Sequence, residues 1–167
     1  PGGGLRLLRE IGRYRREHRL PGIVAGETTW CIGMSEPNAG SDLASLKTSA
    51  ERQGDEFVIN GTKRFISAAG EADLAQVMAA TDPEKRSRGG ITCFIIDGKH
   101  KGLALREVPV IRSFPTYELT FDNVEVPVEN RLGGEGQGFA LCERLLVEAR
   151  VPYAAGCIGI AQEALEI

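Results

Sequence analysis

Short apolar runs separated by turn residues occupy the middle of the chain. From residue 28 they read "TTWCIGM", "SLKTSAE", "DEFVINGTKRFIS", "DLAQVMAAT", "ITCFIID", "LALREVPV", "YELTFDNV" and "VEVP". Runs of this length, with no helical pattern between them, are typical of an antiparallel sandwich or barrel. Asn60-Gly61 inside the third run predicts a hairpin turn, because type I′ turns need positive φ at both central positions.

Helical spacing replaces this strand pattern at both ends of the chain. Residues 5–18 place apolar side chains on one face, and Pro21-Gly22 is expected to end that helix. After the glycine-rich "GGEGQG", Phe139–Arg150 and Ala154–Ile167 are predicted to be helical.

The expected fold is mainly β, an antiparallel orthogonal β-barrel or sandwich flanked by α-helices. We expect three parts: a remnant of an N-terminal helical domain over 1–27, the β-barrel over 28–134, and the start of a C-terminal helical domain over 135–167. The flanking helical domains are expected to be incomplete, as in the middle portion of a longer protein.

Charge and hydropathy remove several classes of function. The net charge is −3, and residues 1–20 hold six arginines against two glutamates, so the rest of the chain is acidic. Without a basic stripe in that part, nucleic-acid binding is not expected. An Arg-rich start also suits a transit peptide, but a chain that begins at Pro1 favours a start inside a longer protein. No apolar stretch approaches the ~20 residues that span a bilayer.

The cysteines and histidines do not predict a metal site. The four cysteines contain no C-x-x-C pair, and His18 and His100 are far apart in sequence. Each cysteine lies in an apolar run, where a small buried hydrophobic side chain suffices. Free thiols favour a reducing compartment, either cytoplasm or, in a eukaryote, the mitochondrial matrix.

The stretch "MSEPNAGSD", residues 34–42, predicts a turn that presents polar groups. Pro37 cannot continue a central strand because it lacks an N–H, and Asn38 to Gly40 suit a turn. Ser41 or Asp42 could cap a short helical turn through "DLASL". Such a turn could bind a pyrophosphate or a carbonyl oxygen, although a plain surface turn is the simpler interpretation.

Four motifs in series resemble the acyl-CoA dehydrogenase family. "MSEPNAGSD", "GDEFVINGTKRFIS", "ELTFDNVEVPVENRLG" and "GEGQGF" follow one another as in the middle β domain of that family, and the resemblance covers about residues 20–167. It implies an enzyme that binds FAD and oxidises the Cα–Cβ bond of an acyl-CoA thioester. In such enzymes a glutamate removes the α-proton while the β-hydride moves to flavin N5.

The resemblance also implies site residues. Residues 32–41 would line the flavin, and Phe65, Ile66 and Ser67 match a W-I-T element of the family, with Phe65 packing on the isoalloxazine. Ser41 would lie between FAD and acyl-CoA, and Arg150 would contact the substrate. Ordinary strand core is the alternative for Phe65 and Ile66, and a solvated helix arginine the alternative for Arg150. The implied cofactor contacts are Ile32, Gly33, Met34, Ser35, Gly40, Ser41, Phe65, Ile66 and Ser67.

No catalytic residue is assigned within the chain. The base that some family members carry next to the matched arginine falls at Ala149, and Glu148 is one residue early, a rotation of ~100° on a helix. The resemblance therefore places the base beyond Ile167. It also implies a homodimer or homotetramer in the full-length protein, while acyl-CoA oxidase, flavin-dependent hydroxylase and non-catalytic β-barrel binding module remain alternatives.

Overall fold

The structure, a computed structural model, describes residues 20–111 and 114–166. The mainly β class with flanking helices is confirmed, while the helix predicted over residues 5–18 lies outside the described residues. The elements are α1 Leu20–Ala25, β1 Trp30–Gly33, β2 Ser49–Gln53, β3 Glu56–Ser67, β4 Leu74–Ala80, β5 Ile91–Asp97, β6 Leu103–Val108, β7 Thr116–Pro127, β8 Arg131–Leu132 and α2 Gly138–Glu166.

The strands form one eight-stranded sheet. Its order is β6-β7-β3-β2-β4-β5-β8, with β1 paired to β4 beside this path. Two features differ from the expected antiparallel barrel: the path does not close, and β1 runs parallel to β4, as β2 does where Ser49 meets Ala80. The β2–β3 hairpin lies between β1 and β4 in sequence, and a crossover of this length lets two strands run in the same direction.

Strand β4 is buried on both of its faces. All seven of its residues are buried, and alternate ones enter two different apolar clusters. The first cluster surrounds Phe57 and Phe94, whose rings meet edge to face at 5.0 Å. The second surrounds Met78 and includes side chains of α1 and α2. A strand covered on both sides has a near-continuous apolar run, and between Leu74 and Ala80 only Gln76 interrupts it.

The expectation that every cysteine is buried is wrong for one of the four. Cys31, Cys93 and Cys142 are buried free thiols, whereas Cys157 is exposed. Cys157 lies on the part of α2 whose described residues, 151–166, are all exposed, so its apolar neighbours in sequence do not cover it.

Asn60-Gly61 does not form the predicted hairpin turn. Both residues lie inside β3, where the pairing with β7 shifts between Ile59 and Gly61. A side chain at Gly61 is excluded because a Cβ there would lie 2.6 Å from Thr48 Cα. The hairpin turn is instead at Gly54-Asp55, between the paired residues Gln53 and Glu56.

The shift at Asn60 also explains why β7 is one strand rather than the two predicted. Asn123 takes a positive φ of 48°, and its N–H donates to Asn60 Oδ1 at 2.8 Å. Asn60 Nδ2 donates in turn to Asn123 Oδ1 at 3.3 Å. These two bonds hold the irregular pairs together, so both strands continue through the bulge.

Proline lies inside both described helices, and the predicted break between the two C-terminal helices is wrong. Pro21-Gly22 lies within α1, which ends at Ala25 before Gly26 at φ 76°. The two C-terminal helices are a single helix, α2, that continues through Pro152. One proline removes a single backbone hydrogen bond, and the helix tolerates that loss here. Within the described residues, no helix is long and apolar enough to cross a membrane.

Replacing Gly61 is expected to disrupt the β3 bulge. Gly61→Ala should lower the free energy of unfolding by roughly 3 kcal/mol, because overpacking against Thr48 adds to backbone strain at φ 145°. Gly54→Ala is the matched control: its Cβ meets nothing within 4 Å, so only the strain of φ 64° remains, about 1–2 kcal/mol. Urea unfolding measures both variants, and equal losses would contradict the proposed crowding.

Candidate functional site

The end of β1 and the end of β3 meet in space. The Arg64 N–H donates to Ser35 O at 2.8 Å, and Lys63 Nζ donates to Met34 O at 3.2 Å. The start of the turn segment, residues 34–42, therefore lies beside Lys63 and Arg64 of β3, next in sequence to Phe65, and we call this contact the junction.

A β-bulge presents Phe65 at this junction. Pairing passes from Lys63 opposite Leu119 to Ile66 opposite Tyr117, so Arg64 and Phe65 face one residue of β7. Phe65 has φ 62° and is 56% exposed. Positive φ is uncommon for an aromatic residue, and such strain clusters at functional sites. The Arg64 guanidinium lies 5.2 Å from the centroid of the Phe65 ring.

A buried ion pair lies beneath the junction. The side chain of Lys63 is 0% exposed, and its Nζ donates to Glu36 Oε1 at 2.8 Å. The same carboxylate accepts the Lys47 N–H at 2.7 Å and the Thr48 N–H at 3.0 Å. The buried charge is thus neutralised and hydrogen-bonded, as burial requires.

The pKa values of the pair reflect this environment. Burial lowers the pKa of Lys63, and the charge of Glu36 opposes that change. Burial alone would raise the pKa of Glu36, but the charge and hydrogen bond of Lys63, with bonds from Thr48 and Lys47, hold it below its usual range. A carboxyl with a lowered folded-state pKa stabilises the fold above its unfolded pKa, and that stabilisation is lost as pH falls through the folded value.

The main chain of Glu36 opens a tight two-residue turn. The Glu36 N–H donates to Ala39 O at 2.8 Å and the Ala39 N–H donates back to Glu36 O at 3.3 Å. Pro37 and Asn38 form the exposed tip, while Ala39 is buried in the second apolar cluster. The tip is therefore held at both ends by buried groups.

The capping predicted for Ser41 or Asp42 is absent. A 3₁₀ turn, Leu43–Ser45, follows Asp42, which makes no side-chain capping bond to it. The Asp42 carboxylate instead pairs with Arg86 at 3.1 Å, and Ser45 Oγ donates to Asp42 O. A three-residue turn is too short to act as a helix N-terminus toward an anion.

The remaining predicted residues divide by exposure. Gly40, Ser41 and Ser67 are exposed, whereas Ile32, Met34 and Ser35 are half-buried and Gly33 is buried. Ile66 is 3% exposed and packs in the first apolar cluster, so only its main chain can reach a ligand.

Arg150 lies outside the group joined by these contacts. It is exposed on α2, beyond Leu145, the last buried residue of that helix. Glu148, on the same helix, accepts from Arg144 Nε at 3.3 Å.

The sequence interpretation assigned no role to Lys63 or Glu36. Both residues belong to motifs quoted for the family resemblance, "MSEPNAGSD" and "GDEFVINGTKRFIS", and the signal was a carboxylate in the first motif and a cation in the second. Alternation along β3 could not reveal that Lys63 faces inward, since two register shifts interrupt that strand. Among residues 20–111 and 114–166, no group of three or more His, Cys, Asp or Glu side chains could hold a metal ion.

Comparisons with known proteins agree on one family. Residues 31–124 match the family described as acyl-CoA dehydrogenase, middle domain. Cyclohex-1-ene-1-carbonyl-CoA dehydrogenase of Geobacter metallireducens is 46% identical over 99% of this chain and 42% of its own length. The short-chain specific acyl-CoA dehydrogenase of Clostridium acetobutylicum is 39% identical over 95% of this chain and 42% of its own.

A solved structure supports the same relationship. The glutaryl-coenzyme A dehydrogenase glutaryl-CoA complex superposes with a TM-score of 0.88 at 34% identity, covering 93% of this chain and 40% of that one. This chain thus spans about 40% of the length of the relatives it matches.

Removing one member of the buried pair is expected to be costly. Lys63→Met should lower the free energy of unfolding by about 3–5 kcal/mol, because the Glu36 carboxylate is left buried without its counter-charge. Lys85→Met is the matched control, since Lys85 pairs with Asp82 at 2.7 Å on the exposed 81–90 loop, and no measurable loss is expected. Denaturant unfolding at neutral pH compares them; similar values for the two variants would contradict the burial argument.

Proposed function

This chain belongs to the acyl-CoA dehydrogenase family, and from that premise we propose that it forms the middle-domain wall of an FAD and acyl-CoA site in a flavin-dependent dehydrogenase. One observation carries the proposal: the turn after β1 is hydrogen-bonded to the bulge in β3. The Arg64 N–H donates to Ser35 O, which places Ser35 beside the bulge that presents Phe65. Residues 28–134 would be the middle domain, and 1–27 and 135–167 parts of the helical domains around it.

The residues at the junction suit the isoalloxazine of FAD. A planar apolar ring needs a flat aromatic or apolar contact, and the bulge holds Phe65 outward at 56% exposure. The polar edge of the ring needs hydrogen-bond donors, which the hydroxyls of half-buried Ser35 and exposed Ser67 can supply. The carbonyls of Met34 and Ser35 already accept bonds from β3, so they do not compete as acceptors there.

Each predicted residue then has a role in binding. Phe65 packs on the ring, Ser35 and Ser67 donate to its polar edge, and Ile66 contributes main chain only. Ile32, Gly33 and Met34 form the strand end behind it. Ser41, exposed beyond the tip, contacts both cofactor and thioester, and Gly40 keeps the approach to it free of side chains.

FAD, when bound, supplies the redox chemistry by accepting a hydride, and the protein supplies orientation and electrostatics. We assign no residue of this chain as the base: Ala149 occupies the position adjacent to Arg150, and Glu148 is engaged with Arg144. Arg150 is a candidate for the substrate side, which its exposure on α2 permits.

The substrate class rests on the relatives. Their names specify cyclohex-1-ene-1-carbonyl-CoA, short-chain acyl-CoA and glutaryl-CoA, which share only the coenzyme A thioester. We therefore propose an acyl-CoA thioester as substrate. A homodimer or homotetramer, in the cytoplasm or the mitochondrial matrix, stays a prediction, and light scattering of the purified protein measures the oligomer.

The complete gene product is expected to purify with FAD and to lose its flavin absorbance when mixed anaerobically with an acyl-CoA thioester. Butyryl-CoA, glutaryl-CoA and cyclohex-1-ene-1-carbonyl-CoA form a first panel. Peroxide produced in equal amount with product under air would indicate the oxidase instead. A properly folded protein that takes up no FAD would overturn the proposal.

Phe65 provides a local test of the flavin contact. Phe65→Ala should weaken FAD binding at least tenfold, since a ring-to-ring contact is lost, and should leave thermal stability unchanged or raised because the residue is exposed. Phe65→Trp is the control, because it restores a flat aromatic face and should keep affinity within about threefold. Fluorescence titration of the apoprotein with FAD measures both, and an unaltered affinity in Phe65→Ala would contradict this role.

A further inference from the structure

We propose that Lys63 is a positioning residue for the flavin: its buried ammonium turns the main chain that follows β1 so that carbonyl oxygens point away from the cofactor. The inference rests on the proposed function. It concerns a residue that touches neither cofactor nor substrate and acts through Met34, Ser35 and the turn they enter.

The geometry begins with two consecutive carbonyls. In a regular strand, neighbouring carbonyls point to opposite sides. Here Met34 O and Ser35 O both accept donors from β3, the first from Lys63 Nζ at 3.2 Å and the second from the Arg64 N–H at 2.8 Å. β1 ends at Gly33, so Met34 and Ser35 lie beyond the regular strand, and the donor that reaches the first carbonyl is a side chain. Lys63 provides it.

The chemistry of the cofactor explains why the direction of these two carbonyls matters. The pyrimidine edge of a flavin consists largely of acceptors, and it gains negative charge when the ring is reduced. A main-chain carbonyl facing that edge would repel it, whereas hydroxyl and N–H groups would stabilise it. Holding Met34 O and Ser35 O against β3 therefore removes two acceptors from the cofactor side of the junction.

The ammonium can be buried there only because Glu36 neutralises it. Glu36 also accepts the N–H groups of Lys47 and Thr48, which lead into β2. The carboxylate thus holds the segment that leads into β2 and neutralises Lys63, while the tip of the turn is closed by the main chain of Glu36 and Ala39. Lys63 alone, however, reaches the carbonyl of Met34, so the two members of the pair have different tasks.

This difference makes it possible to distinguish a positioning role of Lys63 from a purely stabilising one. Glu36→Gln keeps the ammonium and its bond to Met34 O, so it should lose stability but hold FAD within about threefold of the wild type. The double variant Glu36→Gln/Lys63→Met removes both charges. It should recover much of the stability lost in Lys63→Met, yet bind FAD at least tenfold more weakly, because the Met34 carbonyl is no longer held.

The experiment measures the melting temperature, the FAD dissociation constant by fluorescence titration, and the flavin reduction potential of the complete gene product. Wild type, Glu36→Gln, Lys63→Met and the double variant are compared, with Asp82→Asn/Lys85→Met as the exposed-pair control. We expect weaker FAD binding only in the variants that lack Lys63, and lower melting temperatures mainly in the variants that leave one charge of the pair without its partner. We expect the flavin reduction potential of the double variant to be more negative than that of the wild type.

Two outcomes would overturn the inference. One is a double variant with wild-type affinity and potential. The other is a loss of affinity in every variant in proportion to its loss of stability, which Glu36→Gln reveals even if the double variant does not fold. A wild-type protein that binds no FAD would instead defeat the proposed function, and the inference with it.

Discussion

A buried charge constrains this structure more than any other contact. An ammonium with no exposed surface must be neutralised and hydrogen-bonded, or the fold loses several kcal/mol. Lys63 meets that requirement with one carboxylate and one carbonyl, both from the segment after β1. The loop that carries the candidate binding residues therefore cannot move without exposing or unpairing a charge. Its shape is fixed by the same electrostatics that stabilise the sheet.

The two irregular pairs in β3 serve this arrangement. At Gly61 the strand passes close to Thr48, whose N–H donates to Glu36. At Arg64 and Phe65 the bulge releases an N–H for Ser35 O and turns an aromatic ring outward. The bulges thus connect sheet packing to the junction.

The sequence could predict the class of fold and the residues of the candidate site, but not which of those residues are in contact in the folded chain. Strands such as "ITCFIID" were predictable because burial on both faces needs a continuous apolar run. Asn60-Gly61 led to a wrong prediction. The glycine is needed because Thr48, distant in sequence, packs closely against it, and not because the chain turns there. The burial of Lys63 was equally hidden: a lysine beside an arginine suggests solvent, and only tertiary pairing with Glu36 reverses that expectation.

Helix α2 reaches the same junction through Met34. The side chain of Met34 accepts the thiol of Cys142, with 3.1 Å between Sδ and Sγ, while its carbonyl is held by Lys63. Burial raises the pKa of Cys142 to about 11, so at neutral pH it is a protonated thiol and can donate. One residue thus joins the sheet, the turn and the helix. Because interiors are close-packed, a displacement of α2 would be transmitted to Met34 rather than absorbed between them.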